Sequence, residues 1–459
     1  MVDSHAAALQ NAERLLAGGD WAAAETTLRM AITRDLSNED VAKAWCNVML
    51  GYGDVREGRS LLEKITHAGL QHPLIPFCLA LGYQTDGNFD EAKCMLNDIR
   101  ASYPDWHRAT HLLVRILSLE GKHDDAIEMI DPLIASDDPL VICAFGLVAP
   151  SVGRTTEAIN RLSALCDRRD LPLGIRNEAG LLMARLLDAE GKYDEALEVA
   201  IQTHALSPSH YRPDAIEKLI ADRVSDSPAE RIAENITADG DTERPIFILG
   251  MPRSGTSLTE AILGEHPEIA PLGECRVIER FVPLDLTNTA MVNHRSGQIL
   301  AAYRDLDANR RLVTDKQLGN FLHLDAVASL LPQSRVIWCR RDRRDVAISC
   351  FFQQFQTGTP WTGDIAHTLH FEQLYFRLMR HWEQVLCLPM LHLDYEALVN
   401  DPRDQVARML KFLGLPWEEQ CLQFDESSRT TLTVSNAQVK KRLYRSSIDR
   451  WKRYPRLFD

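Results

Sequence analysis

A short pattern returns at a near-constant interval through the N-terminal half of the chain, and it leaves few folds open. It opens on glycine and closes on a small residue: GDWAAA at Gly19, GDVREG at Gly53, GNFDEA at Gly87, GKHDDA at Gly121, GRTTEA at Gly153 and GKYDEA at Gly191. The first four glycines are 34 residues apart, and the next two gaps are 32 and 38. A unit of this length cannot bury its own apolar face, so the units must stack on one another. Each glycine is expected to end the first helix of a pair, where a left-handed residue is needed. Five residues on, Ala24, Gly58, Ala92, Ala126, Ala158 and Ala196 are small enough for the two helices to close up. Apolar residues at helical spacing, such as Ala92, Met95 and Leu96, or Ala196, Leu197 and Val199, supply the packing face.

A 34-residue period is that of the tetratricopeptide helix-turn-helix, so residues 1–207 are expected to form an all-α solenoid. Such arrays bind peptides or partner domains on their concave face, and they serve equally as spacers or homodimerisation platforms. The irregular gaps point to a loop insertion near Asp167–Pro172. The pattern stops near Pro208. SDSPAERIAENITADGDTER, ending at Arg244, reads as a linking helix and a polar loop, which sets residues 208–243 apart from a second domain over 244–459.

Composition narrows the function. The apolar (45%) and charged (25%) fractions are those of an ordinary folded protein, and a formal charge of −14 argues against nucleic acid as a partner. The ten cysteines show no CxxC and no paired spacing for zinc or a disulfide framework, and they suit a reducing compartment. MVDSHAAALQ lacks the basic and apolar regions of a signal peptide, and the longest apolar run, Pro139 to Pro150, is too short to span a bilayer. The expectation is a cytoplasmic protein that does not enter a membrane.

The C-terminal half is organised around IFILGMPRSGTS, Ile246 to Ser257. The apolar run reads as a buried parallel strand, and TSLTEAILGEHP after it as a helix ended by Pro267. A strand, a glycine-bounded loop and a helix N-terminus make an anion site, with amide N–H groups converging and about half a positive charge from the helix dipole. The spacing is that of a Walker A loop, but Thr256 stands where that motif needs lysine, and Arg253 supplies the fixed charge instead. Further short apolar strands are expected at Ile269–Leu272, Leu312–Thr314, Arg335–Cys339 and Met390–Leu393. Helical patterns cover 371–386 and 403–412. Alternation of this kind argues for a three-layer α/β domain with a parallel sheet and ligands at the carboxyl ends of its strands. Those ends deliver Arg253 to Ser257, then Lys316, Arg341 and Tyr395.

RRDRRDVAIS adds a second anion site, with Arg341 at a strand end and Ser349 two turns into the helix DVAISCFFQQF. Charge-assisted hydrogen bonds from such a pair contribute about 1.5–3 kcal/mol each. No acidic strand end reads as a magnesium ligand, so no metal is expected. Glu274 follows the loop by two dozen residues, beside an expected strand end, where it reads either as a general base or as the ion-pair partner of Arg276 or Arg280. His323, on an expected amphipathic helix NFLHLDAVASLL, and His294 are rival bases that read as structural or exposed.

PRSGTS resembles the 5′-phosphosulfate loop of sulfotransferases, which use 3′-phosphoadenosine-5′-phosphosulfate (PAPS). LGECRVIER, Leu272 to Arg280, is similar to the GEETRVIPR stretch of tyrosylprotein sulfotransferases, and SNAQV, Ser435 to Val439, to their STDQV segment. The resemblance covers roughly residues 244–454 and makes the chain look like a repeat–sulfotransferase fusion. It implies a catalytic base at Glu274, substrate contacts at Arg276 and Arg280, and Lys316 facing the bridging oxygen of the leaving phosphate. It further implies a transition-state serine at Ser435, so that Arg253, Lys316 and Ser435 would be catalytic, stabilising charge that develops on the sulfuryl group and on the departing bisphosphate. The cofactor would be held by Arg253, Ser254, Gly255, Thr256, Ser257, Arg341, Ser349, Tyr395 and Arg450. Gln353 replaces an arginine of the family's pattern, and the family's membrane anchor and disulfide cysteines have no counterpart.

The expected function is therefore PAPS-dependent sulfuryl transfer to a hydroxyl of a protein tyrosine, a carbohydrate or a small molecule. The rival readings are a P-loop kinase or NTPase, against which the missing Walker lysine argues, and a binding scaffold with an inactive C-terminal half.

Overall fold

In the computed structural model the described residues are 2–51, 55–85, 87–207, 209–282, 285–355, 359–426 and 447–458. They fall into two compact units, one from Met1 to Val199 and one from Ala200 onward.

The first unit is a run of helix pairs. Phe89–Ser102 packs between Leu74–Thr85 and Arg108–Glu120, and the first helices of successive pairs stack, Arg108–Glu120 on Pro139–Val148 and Pro139–Val148 on Leu173–Ala189. Gly19, Gly87, Gly121, Gly153 and Gly191 all have φ between 71° and 82°, the left-handed turn that the spacing predicts. Gly53 lies outside the described residues. Ala24, Ala92, Ala126, Ala158 and Ala196 are fully buried at the helix crossings. Glycine replaces alanine at position 58 for a packing reason: a Cβ there would lie 2.8 Å from Met49 Cε and 3.2 Å from the Trp45 ring. The insertion expected at 167–172 is not the source of the long gap. That connection is hardly longer than 103–107, and the extra residues lengthen the helix Leu173–Ala189 to 17 residues against 13 for Arg108–Glu120.

The second unit is built on a five-stranded sheet. Its strands are β1 (Pro245–Gly250), β2 (Ile269–Pro271), β3 (Leu312–Asp315), β4 (Arg335–Arg340) and β5 (Met390–Asp394). All four pairings are parallel, in the order β2-β3-β1-β4-β5. β1 is central and buried along its whole length, because both of its faces carry a core. Phe247 and Leu249 face one core with Val313, Val336 and Trp338, covered by Thr289–Leu306, Leu324–Leu330 and Ile365–Val385. Ile246 and Ile248 face the other with Leu312, Ile337 and Leu393, covered by Thr256–Gly264 and Pro402–Leu413. This is the three-layer α/β arrangement. The helix expected over NFLHLDAVASLL is two elements, a 3₁₀ turn Leu318–His323 and a helix Leu324–Leu330 with His323 at its N-cap.

The stretch expected as a linking helix contains Pro213–Asp226, which packs along Ile365–Val385 within the second unit. Tyr211 Oη is 2.8 Å from His370 Nδ1, His381 Nε2 is 2.8 Å from the Ser227 carbonyl, and Arg223 donates to Asp325 at 2.6 Å. Among the described residues no helix is long and apolar enough to cross a membrane.

Candidate active site

β1 delivers the chain into a tight loop. Arg253 (φ 70°) and Gly255 (φ 101°) are both left-handed, which turns the backbone back toward the helix Thr256–Gly264. Each glycine of the Gly-x4-Gly spacing is fixed by a neighbour. A Cβ on Gly250 would sit 2.4 Å from Ser254 Oγ and 2.8 Å from the Cys339 carbonyl, and one on Gly255 would sit 2.7 Å from Tyr395 Cδ2. Ser254, Thr256 and Ser257 are all buried at this helix end.

β4 lies beside β1, so its end reaches the same loop. Arg341 donates from Nη1 to the Arg253 carbonyl at 2.8 Å and from Nη2 to the Ser447 carbonyl at 2.5 Å, with its guanidinium 4.5 Å above the Tyr395 ring. Tyr395, at the end of β5, has its hydroxyl 2.8 Å from Ser447 Oγ. Ser349, on the helix Arg343–Phe351, accepts from Arg253 Nε at 2.8 Å. The loop and the Arg341–Ser349 element, expected to converge with the other strand ends on one rim, are joined there by direct hydrogen bonds. The helix carrying Ser349 starts earlier than DVAISCFFQQF implies, because Asp342 caps it by accepting from the Arg344 amide, and it ends sooner, at Phe351.

The backbone around Arg450 is fixed by a residue that sequence reasoning missed. Asp345 accepts from the Asp449 amide at 2.8 Å and the Trp451 amide at 2.9 Å, clamping the backbone on either side of Arg450, whose guanidinium lies 5.0 Å from the Phe352 ring. Burial pushes the Asp345 carboxyl above its ordinary pKa despite these amides.

A second group of residues gathers where β2 meets β3. Lys316, 1% exposed, donates from Nζ to Glu274 Oε1 at 2.9 Å, while Glu274 keeps 47% of its side chain in solvent. Burial opposes the Lys316 charge, but the carboxylates of Glu274, Glu260 and Asp315 outweigh it and hold its pKa above that of an ordinary lysine. Asp315 is buried, accepts from Tyr303 Oη at 2.6 Å, and has its pKa raised by that burial. Glu274 therefore pairs with Lys316, where the sequence suggested Arg276 or Arg280. Arg276 (φ 46°) instead lies 3.5 Å from Glu279, and Arg280 is exposed without an ion-pair partner among the described residues. His294 is exposed on the helix Thr289–Leu306, and burial lowers the pKa of His323. Ser435 lies outside the described residues.

The comparisons with known proteins bear on this half of the chain. Residues 245–419 match the model of the sulfotransferase family. They form a sulfotransferase-family domain. A putative protein-tyrosine sulfotransferase of Caenorhabditis briggsae is 24% identical over 46% of this chain and 81% of its own length. Protein-tyrosine sulfotransferase 1 of Danio rerio is 25% identical over 43% and 60%. An uncharacterized protein of Aquifex aeolicus is 28% identical over 79% of this chain, which spans 51% of that protein. This chain thus covers about half of the Aquifex aeolicus protein. Among solved structures, the sulfotransferase domain of the Synechococcus PCC 7002 olefin synthase superposes with a TM-score of 0.37 at 22% identity, covering 47% of this chain and 90% of that one. A tetratricopeptide repeat protein of Parabacteroides merdae gives 0.33 at 14%, covering 50% and 89%. Likenesses at that level carry no weight for function. The five strands of the sulfotransferase-family domain lie in the second unit, and the helix pairs from Val2 to Ala189 lie in the first.

Proposed function

We propose that the sulfotransferase-family domain transfers a sulfuryl group from PAPS to a hydroxyl acceptor. The observation that supports this most is the single rim at the ends of β1, β4 and β5, where two arginines, a helix N-terminus and Ser349 converge. The residues suit a doubly phosphorylated nucleotide. Ser254 Oγ and Arg341 Nε are buried on the rim without a protein partner among the described residues, which leaves two polar groups there that the fold itself does not satisfy. Guanidiniums stay charged at any working pH, which serves an anion site with no lysine in its loop.

When bound, the cosubstrate supplies an activated sulfuryl group with a bisphosphate leaving group. Arg253 and the loop from Ser254 to Ser257 would hold its 5′ side. Arg341, Ser349 and Arg450, with Tyr395, would hold the 3′-phosphate. Glu274 accepts the proton of the acceptor hydroxyl as that oxygen bonds to sulfur, a role worth about 10²–10⁴ in rate. The Lys316–Glu274 pair suits this step. As Glu274 takes up the proton it loses its charge, and the Lys316 ammonium turns to the charge developing on the departing oxygen. Ser435 would add a further hydrogen bond there. Arg276 and Arg280, both exposed near Glu274 in sequence, would contact the acceptor and favour one carrying acidic groups, such as a tyrosine in an acidic peptide.

On this reading the repeats, residues 1–207, recruit the acceptor or a partner protein, and residues 244–459 carry the chemistry. All ten cysteines are free of disulfides, which supports a cytoplasmic setting. Calorimetry on the full chain tests the cofactor: adenosine 3′,5′-bisphosphate should bind without magnesium and more tightly than ADP. Equal affinities, or a requirement for metal, would return the reading to an NTPase. A panel of hydroxyl acceptors with labelled PAPS would then name the acceptor class.

A further inference from the structure

One buried carboxylate lies behind the rim and is used by none of the steps above. Glu260 is on the helix Thr256–Gly264, four residues after the phosphate-loop Thr256, and is 4% exposed. Its Oε1 accepts from the Gly273 amide at 2.9 Å and from Thr314 Oγ1 at 2.7 Å. Those two groups precede the two residues of the Glu274–Lys316 pair. Gly273, left-handed at φ 69°, leads into Glu274, and Thr314 is two residues before Lys316. Main-chain bonds close the same knot: the Leu272 amide donates to the Thr314 carbonyl, and the Lys316 amide to the Gly273 carbonyl at 2.9 Å.

We propose that Glu260 is the positioning residue for the Glu274–Lys316 pair, tying the phosphate-loop helix, the Gly273 turn and the end of β3 into one rigid unit. The inference rests on the sulfuryl-transfer reading for what the pair does, but not for how it is held. Three elements that come from separate strands meet at one oxygen atom. Without that acceptor, the Gly273 amide and the Thr314 hydroxyl would be left buried and unpaired, and the turn would shift to satisfy them. A shift of about 1 Å at a reacting group costs on the order of 10²-fold in rate. The arrangement also binds charge to geometry. The Lys316 ammonium faces Glu274 from the turn, Glu260 from the helix and Asp315 from its own strand, with the Cys339 thiol on β4 nearby. Burial raises the pKa of Glu260 itself, against the pull of Lys316 and of its two hydrogen bonds.

Three variants test it. Glu260→Gln keeps an oxygen acceptor for both bonds and removes only the charge. Glu260→Ala removes both acceptor bonds, and Thr314→Val removes one without changing volume. Glu260→Ala should lower kcat by about 10–100-fold, with KM for PAPS and the affinity for adenosine 3′,5′-bisphosphate within about threefold. Glu260→Gln should restore most of kcat, but with the alkaline limb of the pH profile moved to lower pH, because Lys316 has lost one of its carboxylates. Hydrogen exchange at the Gly273 and Glu274 amides supplies a readout independent of catalysis, and it should quicken in Glu260→Ala and Thr314→Val but not in Glu260→Gln. If Glu260→Ala does not fold, the Thr314→Val exchange pattern decides alone. Unchanged exchange at Gly273, or an Ala variant that loses thermal stability while keeping a normal kcat, would overturn the proposal. A wild-type chain that neither binds the bisphosphate nor turns over PAPS, yet shows the exchange pattern, would sink the sulfuryl-transfer reading and leave the positioning role standing.

Discussion

Replacing Glu274 by glutamine separates the two roles this residue could have. The variant keeps the side-chain volume and a carbonyl that can accept from Lys316, but it removes the carboxylate that would take the acceptor proton. If Glu274 is the general base, kcat should fall by about 10²–10⁴, which is roughly 2.7–5.4 kcal/mol in the barrier. The alternative is a purely structural ion pair, and its size follows from the geometry. Breaking a fully buried pair costs about 3–5 kcal/mol. Here one partner is buried but Glu274 is 47% exposed, and the Lys316 ammonium still has Glu260 and Asp315 beside it. The stability loss should therefore stay near 1 kcal/mol, a shift of only about 2–4 °C in Tm for a domain of this size. The assay is steady-state turnover of PAPS with a saturating acceptor, together with bisphosphate calorimetry and a thermal melt on the same protein. The expected pattern is a collapse of kcat with nucleotide affinity and Tm almost unmoved. A kcat within a few-fold of wild type would refute the reasoning and return His294 and His323 as candidate bases.

The other expectations are shorter. Arg253→Ala should lower both nucleotide affinity and turnover, whereas Arg341→Ala should chiefly raise the dissociation constant of the bisphosphate; an unchanged constant would remove Arg341 from the site. Gly255→Ala forces a Cβ against Tyr395 at φ 101°, a strain of about 1–3 kcal/mol. The chain should still fold with weaker nucleotide binding, and a normal affinity by calorimetry would contradict that. Glu372, buried beside Arg343 at 3.1 Å, has its pKa pushed up by that burial to about 7. Because the folded value lies above the ordinary carboxylate value, the stability it contributes is fully present below about pH 4.5 and is lost as pH rises through about 7. Glu372→Gln should remove that part of the slope and gain stability relative to wild type at pH 8, and denaturant melts at pH 5 and pH 8 showing no change in slope would refute it.

The sequence revealed most where one element carries its own signal. β1 is legible because a strand with a core on each face has no polar alternation, and Ile246 to Leu249 shows none. The repeat glycines are legible because a left-handed helix end suits few other residues. What could not be read is whatever depends on strand order. Glu274 and Lys316 meet because β2 and β3 are parallel neighbours with Ala270 opposite Val313, and nothing in a separation of 42 residues announces that. Arg253 and Ser349, joined by the pairing of β1 with β4, are assigned to one cofactor by the family resemblance, while their spacing of 96 residues announces no contact. Glu260 did leave a trace, a lone acid inside the apolar stretch TSLTEAIL, but a buried acid and a solvated one look alike before the helix is placed.

The direct hydrogen bonds between the two anion sites alter the size of the effect to expect at Arg341. Charge-assisted hydrogen bonds of about 1.5–3 kcal/mol would imply a loss of roughly 10–100-fold in nucleotide affinity on truncation to alanine. That range assumes a guanidinium that offers its donors unspent. Arg341 instead gives Nη1 to the Arg253 carbonyl and Nη2 to the Ser447 carbonyl, leaving Nε as its one buried donor without a partner among the described residues. A phosphate that takes Nη1 or Nη2 exchanges one hydrogen bond for another, and the net gain is a difference between the two. The loss in Arg341→Ala should lie near tenfold. Ser447 offers the check, since its carbonyl is a backbone group that survives any side-chain change. Ser447→Ala should leave bisphosphate affinity within about threefold while freeing only the Tyr395 hydroxyl. A loss as large as that of Arg341→Ala would show that the Tyr395–Ser447 contact, and not the guanidinium, holds the rim in shape.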